Sequence, residues 1–358
     1  LYDGDVTSIG IIGASGYTGA ELLRLCARHP QLDVAFATGD SQAGNLVTDL
    51  YPALAAVYGD RRFDAYGAVL SDGRLDDVEL VFLGLPHGAS QALVPQLLKR
   101  VPFVIDLAAD FRLKDPSLYP TWYHAEHAVP ELLEQFAYGL PELFRPALLG
   151  AKAIAVPGCH VTAAALVLAP FVRAGLIEPT GIVVNTATGV SGAGRGPKAN
   201  TQFCAVDEDI VAYGLLDHRH TPEIEQNLSF AADGTPLGTA AQVIFTPHLA
   251  PMNRGILATC HARPTGTLTT TDALAVLREA YADEPFVVVD ERPPSTKATL
   301  GSNCVHVSAR VDPRTGWFLG LSALDNLTKG ASGGAIQCAN LALGIDETTG
   351  LDRVGLYP

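Results

Sequence analysis

Short apolar runs alternate with glycine breaks along the first part of the chain. Residues 7–12 form one such run, Gly13 to Gly19 interrupts it, and residues 21–28 take up helical spacing. Further short runs at 33–38, 80–85 and 103–107 are bounded by turn residues, and each predicts a buried strand. Strands alternating with helices predict an α/β fold with a doubly wound parallel sheet of the Rossmann kind. Residues 154–156 repeat the pattern, Pro157 and Gly158 stop it, and the apolar stretch 163–172 predicts a helix. Past residue 180 the texture changes. Residues 182–187, 241–247, 255–262, 286–289, 305–311 and 317–323 read as strands, with helices at 271–281 and 331–343. This second half predicts an α+β domain with a mixed sheet containing antiparallel pairs. The strands at 241–247 and 255–262 are joined through Pro251 to Arg254.

Composition narrows the class. A chain of 358 residues, 48% hydrophobic and 17% charged, has material for two compact domains. No apolar run reaches the roughly eighteen residues of a membrane span. The chain opens on Leu1 with no secretory leader, so a trimmed or tagged chain is expected. A formal charge of −14 argues against nucleic acid, an acidic membrane face or an acidic protein partner, but leaves small anions open. The six cysteines (26, 159, 204, 260, 304 and 338) show neither pair nor metal spacing. Reduced thiols in a cytoplasmic enzyme are therefore expected, with no disulfide framework and no metal site.

The chemistry concentrates at a few turns. Cys159 follows the Pro157-Gly158 break just ahead of a helix, where unpaired N–H groups and the helix dipole favour a thiolate. A small buried residue between strand and helix is the competing reading. The turn Gly13-Ala14-Ser15-Gly16-Tyr17-Thr18-Gly19 lies between strand and helix, as a dinucleotide site requires. Gly13 makes the tight turn, Gly16 admits a pyrophosphate, and Gly19 lets the helix pack on the sheet. Ser15, Tyr17 and Thr18 are candidate cofactor contacts in the same turn, and Pro86 is one in the loop Pro86-His87-Gly88 after the third strand. Asp40, past the second strand, suits a free ribose 2′-hydroxyl, which favours NAD.

Arg112 at the end of the fourth strand and Arg195 in the loop from Gly189 to Gly196 are candidate grips for anionic groups. Which takes the phosphate and which a carboxylate is open. His218-Arg219-His220 precedes Thr221, read as a helix N-cap, and Pro222, read as the first helical residue. The two histidines invite a zinc reading, but no third ligand lies at metal spacing; an acid/base pair for Cys159 fits better.

Several motifs in this order resemble the N-acetyl-γ-glutamyl-phosphate reductases, within the wider aspartate-semialdehyde dehydrogenase group. The carriers are Gly13 to Gly19, Leu85-Pro-His-Gly88, Ala109-Asp-Phe-Arg112, Tyr138-Gly-Leu-Pro-Glu142, Val156-Pro-Gly-Cys159, Ser191-Gly-Ala-Gly-Arg195, His218 to Glu223, Arg254-Gly-Ile-Leu257 and Asp325-Asn-Leu-x-Lys-Gly330. The resemblance runs nearly end to end. It implies Cys159 as nucleophile, His218 or His220 as acid/base, and Asn326 beside the nicotinamide. Ser191 and Gly192 are expected on the cofactor and Glu223 on the substrate. NADP is the family's cofactor, with NAD the alternative that Asp40 raises. The last helix should return to the first domain, so 1–156 with 327–358 is expected to bind the dinucleotide. Residues 157–326 are then the catalytic and dimerisation domain of a homodimer or homotetramer. The implied reaction is reduction of an acyl phosphate to an aldehyde through a thioester; the alternatives are aspartyl or aminoadipyl phosphate, or a CoA thioester. At two positions the chain departs from the family: His160 stands where an aromatic residue is usual, and Asp40 where many members carry arginine.

Overall fold

The computed structural model describes residues 6–357. Among the described residues thirteen strands form two sheets. The first sheet contains β1 (Thr7–Ile12), β2 (Leu32–Thr38), β3 (Leu80–Leu83), β4 (Phe103–Asp106), β5 (Ala137–Tyr138) and β6 (Ala153–Ala155). Its order is β2-β1-β3-β4-β6-β5 and every pair is parallel. Strands β1, β3 and β4 are buried on both faces, which is why they read as continuous apolar runs, whereas β2 exposes Asp33 and Ala35. The order reverses between β1 and β3, and ligands of open α/β sheets bind at the carboxyl ends of such strands. Gly13 closes β1 there with φ of +88°, and a side chain on it would lie 2.5 Å from the carbonyl oxygen of Gly84 after β3. Only glycine suits both the dihedral and the contact.

The second sheet contains β7 (Ile182–Gly189), β8 (Val211–Ala212), β9 (Val243–Ala250), β10 (Ile256–Ala262), β11 (Val287–Val289), β12 (Val305–Val311) and β13 (Phe318–Leu324). Its order is β11-β12-β13-β10-β7-β9-β8. The pairs β7–β9 and β11–β12 are parallel and the others antiparallel, so the sheet is mixed as the pattern predicts. β9 and β10 are consecutive but not paired; β7 lies between them. Burial alternates along β7 and β10, so one face meets the helices and the other is open.

The helix Cys159–Arg173 is apolar all round and buried along nearly its whole length, packed against this second sheet. The helix Gly333–Leu343 instead joins the core of the first sheet, with Ala335, Ile336 and Cys338 beside Ile9, Leu22 and Phe82. A buried polar junction pins this return. Glu21 on the first helix, Tyr17–Cys26, accepts from Arg254, Arg24 and Thr328, while Asp325 accepts from Arg254 and from the N–H groups of Gly301, Leu327 and Thr328.

Candidate active site

A cavity of about 1,060 Å³ runs from the Gly13 turn to Cys159. That volume is at the upper end of small-molecule sites, which are roughly 300–1,000 Å³, and suits two ligands side by side. Cys159 is the first residue of its helix, one turn earlier than the apolar pattern indicates, and Gly158 is its N-cap with extended backbone. No side chain caps this helix end, and the sulfur meets the N–H groups of Cys159 and His160. The sequence reading of a ready thiolate needs correction. Burial pushes the Cys159 thiol up to about 11, and the Arg112 guanidinium offsets this only in part. In the free protein the sulfur is a thiol that waits for a base.

Three imidazoles, of His160, His218 and His220, line the same cavity. The helix His220–Ser229 begins at His220, one residue before the expected N-cap Thr221, and Thr221 is itself buried inside the first turn. No side chain caps this helix from its N-cap Arg219; His218 Nδ1 accepts the N–H of His220 at 3.2 Å. His220 lies against the nucleophile turn; a side-chain carbon on Gly158 would fall 2.3 Å from its Nε2. His160 Nδ1 pairs with the Thr186 hydroxyl at 2.8 Å and Nε2 with the Tyr213 hydroxyl at 3.0 Å. Burial holds all three imidazoles neutral at pH 7. It takes His160 down to about 3, and His218, with Arg219 adding to the effect, down to about 4. His220 is lowered well below the usual range by burial and then by His218, His160 and Arg112. Neutral imidazoles are proton acceptors, which is what a buried thiol requires. The expectation of no third ligand at metal spacing is also corrected. His160, His218 and His220 converge, because two helix starts meet here.

Arg112 is buried rather than a surface cation. Its Nη2 donates to the Leu107 carbonyl at 2.7 Å, and Nη1 lies 3.5 Å from Glu223 Oε2. It is also one of the residues that line the cavity. Glu223, expected on the substrate, does not line the cavity. Its Oε1 accepts the Gly158 N–H at 2.9 Å and the Tyr138 hydroxyl at 2.7 Å. It is a positioning residue that ties the histidine helix to the nucleophile turn.

At the other end, the helix Tyr17–Cys26 starts at Gly16 with no side-chain cap, so its first N–H groups are free for an anion. Gly13, Ser15, Gly16, Tyr17 and Thr18 line the cavity, as do Asp40, Pro86, Ser191, Gly192 and Asn326. Gly19 does not; a side chain there would press 2.4 Å from Ala14 Cα, so its place is helix packing. Asp40 Oδ1 accepts the Tyr66 N–H at 2.8 Å. Asn326 Nδ2 donates to Ser191 Oγ at 3.0 Å and Oδ1 accepts the Gly255 N–H at 2.8 Å, so the amide is held in one orientation. Arg195 reaches the dinucleotide side: its Nε donates to the Ser15 carbonyl at 2.8 Å, beside the Tyr51 hydroxyl on the same oxygen.

Sequence reasoning passed over several residues. Asp110 is buried and accepts from the N–H groups of Gly88, Ser90 and Gln91, which fixes the loop carrying Pro86 and His87. His87 Nδ1 accepts the Ala109 N–H at 3.0 Å. An acidic residue just past a strand end was the available signal for Asp110. Thr186 and Tyr213 gave no local signal.

Two family models match the chain. One described as the semialdehyde dehydrogenase NAD binding domain covers residues 8–151, and one described as the semialdehyde dehydrogenase dimerisation domain covers residues 159–326. A protein of Magnetococcus marinus named N-acetyl-gamma-glutamyl-phosphate reductase is 43% identical over 99% of this chain and 100% of its own. One of the same name from Symbiobacterium thermophilum is 46% identical over 98% and 99%. Among solved structures, aspartate semialdehyde dehydrogenase II of Vibrio cholerae superposes with a TM-score of 0.72 at 17% identity, over 95% of this chain and 99% of that one. The Candida albicans enzyme solved with NADP gives 0.66 at 16%, over 94% and 98%. At such identities the structural likeness speaks for the fold alone.

Proposed function

Since the chain belongs to the semialdehyde dehydrogenase family, and within it to the N-acetyl-γ-glutamyl-phosphate reductases, we propose that it makes N-acetylglutamate semialdehyde and phosphate from N-acetyl-γ-glutamyl phosphate in arginine biosynthesis. The observation that carries this reading is the meeting, in one cavity, of Cys159 and the acid/base histidines with a glycine turn open to an anion.

Cys159 is the nucleophile. A neutral imidazole, His220 or His218, takes the thiol proton as the sulfur attacks the acyl carbon. The acyl–oxygen bond breaks, phosphate leaves with the bonding electrons, and a thioester on Cys159 remains. The N–H groups at the start of the helix Cys159–Arg173 face the developing oxyanion. NADPH, when bound, supplies the hydride that reduces the thioester carbon. The protonated histidine then returns its proton as the carbon–sulfur bond breaks and the aldehyde departs. Glu223 keeps Gly158, and with it Cys159, in register with His220.

The free N–H groups after Gly16 fit the cofactor pyrophosphate, and Asn326, clamped by Ser191 and Gly255, fits the nicotinamide end. Arg195 sits on the Gly13 turn and suits a cofactor phosphate, which supports NADP; Arg112 and Arg219, which line the cavity with Cys159, are cations for the acyl phosphate. Residues 1–156 with 327–358 serve the dinucleotide and 157–326 the chemistry; two core clusters built mainly from the first segment pair and one built mainly from the second support this division. The open face of the second sheet presents Val183, Ile244, Leu257, Leu319 and Leu321 to solvent, which supports pairing with a second copy as a homodimer or homotetramer. All six cysteines are unpaired, in keeping with the cytoplasm, and among the described residues no helix is long and apolar enough to cross a membrane.

The test is phosphate- or arsenate-dependent reduction of NADP with N-acetylglutamate semialdehyde, run beside Cys159→Ala. Activity that needs the cysteine supports the reading. A folded protein inactive with this aldehyde but active with aspartate semialdehyde refutes it.

A further inference from the structure

The three histidines at the nucleophile turn make more than a proton relay. His160 stands in the first turn of the helix Cys159–Arg173, and His218 and His220 stand at the entrance of the helix His220–Ser229. Each offers a ring nitrogen, and the three nitrogens lie within 4.8 Å of one another. The ring centroids are 5.8 Å apart for His160 and His218, 5.4 Å for His160 and His220, and 4.7 Å for His218 and His220. Among the described residues no carboxylate pairs with any of them. Arg219, between two of them in sequence, turns its guanidinium over the Tyr123 ring instead.

Among the described residues His218 and His220 each keep a ring nitrogen without a hydrogen bond, and His160 Nε2 would exchange the Tyr213 hydroxyl for a metal. His160 is oriented by the Thr186 hydroxyl on Nδ1, which turns Nε2 toward Tyr213. His218 uses Nδ1 to accept the His220 N–H, so Nε2 is its open nitrogen. Among the described residues the buried His220 Nδ1 has no hydrogen-bond partner. A buried polar nitrogen without a partner is costly, and it is rare unless something occupies the site. Convergent imidazoles, one already held through its second nitrogen by an outer hydroxyl, are the ligand set of a three-histidine metal site. The fourth tetrahedral position would open into the cavity that Cys159 also lines.

We propose that His160, His218 and His220 form a binding site for a divalent transition metal of the zinc class, inside the catalytic cavity. Tetrahedral coordination by imidazole nitrogens suits Zn²⁺ and Co²⁺, whereas Mg²⁺ and Ca²⁺ prefer oxygen donors. A metal held here engages both candidate acid/base histidines, so it is an inhibitor that a chelator reverses. That inhibitory consequence rests on the reaction proposed above; the binding itself does not. His160 supplies the third ligand, which a side chain without a ring nitrogen at that position would not.

The experiment uses the whole chain, stripped with chelator and titrated with Co²⁺. The expected result is the set of visible d–d bands of tetrahedral Co²⁺, saturating at one equivalent per chain and abolished by Zn²⁺. In His160→Tyr, Co²⁺ affinity should fall by more than ~100-fold, since even outer-shell changes cost 10–100-fold. Should that variant misfold, X-ray absorption on the unaltered protein with one equivalent of Zn²⁺ decides, with three imidazoles in the first shell expected. Absence of saturable binding, bands that persist in a folded His160→Tyr protein, or fewer than three imidazoles on zinc would overturn the site. Metal binding in a protein without acyl-phosphate reductase activity would overturn the reaction and leave the site standing.

Discussion

The imidazole of His220 occupies the space that a side chain on Gly158 would fill, with Nε2 2.3 Å from where its first carbon would lie. The residue before the nucleophile is thus glycine because the acid/base group stands there. Gly158→Ala should push the ring away from Cys159 and lower kcat by ~10²–10⁴, the usual worth of a placed imidazole. NADPH affinity, read by fluorescence quenching, should stay unchanged.

Burial keeps the Cys159 thiol protonated up to about pH 11 in the free protein. Alkylation by iodoacetamide should therefore be slow at pH 7 and climb about tenfold per pH unit toward pH 11, because only the thiolate reacts. Mass mapping of the labelled peptide reads this directly. A plateau near pH 8.5 would mean that the sulfur is not desolvated.

Glu223 is buried and bridges Arg112, Tyr138 and Gly158. Glu223→Gln leaves the buried Arg112 without its countercharge, and a broken buried pair costs about 3–5 kcal/mol. Denaturant unfolding should show a loss of that size, and kcat should fall as the nucleophile turn loosens.

Burial raises the Glu21 carboxyl, but the guanidinium groups of Arg254 and Arg24 outweigh it and hold its pKa at about 2. A folded-state pKa below the unfolded one stabilises the protein above pH 4.5, and the gain is lost as pH falls from 4.5 toward 2. The linkage is worth about 3 kcal/mol at neutral pH. Wild-type stability should drop across that window, and Glu21→Gln should flatten the drop while starting from a lower value at pH 7.

Arg195 donates to the Ser15 carbonyl on the Gly13 turn. Arg195→Ala should raise KM for NADPH by at least ~10-fold, the worth of one charge-assisted hydrogen bond of about 1.5–3 kcal/mol. KM for the acyl substrate should change little; a rise confined to the acyl substrate would move Arg195 to the other end of the cavity.

The chain by itself determined the elements and the local chemistry. Apolar runs between glycine breaks located β1 to β4 within a residue or two; β1, β3 and β4 are buried on both faces and must be apolar throughout, while β2 is apolar where it meets the core. Gly13 to Gly19 and Pro157-Gly158-Cys159 were legible because a turn geometry is written in consecutive residues. The short strands β5 and β8 left no such mark; two residues are too few for a period. What only the tertiary structure decided are the meetings between distant segments. Glu223 looked like a substrate group until it proved to hold Gly158; the helix that carries it packs on the helix after Cys159. His160 became a third imidazole beside His218 and His220 because two helix starts converge. The protonated state of Cys159 followed from burial, which outweighs the helix end that the sequence displays. Spacing along a chain records which groups are neighbours in one element, while desolvation and convergence depend on how whole elements pack.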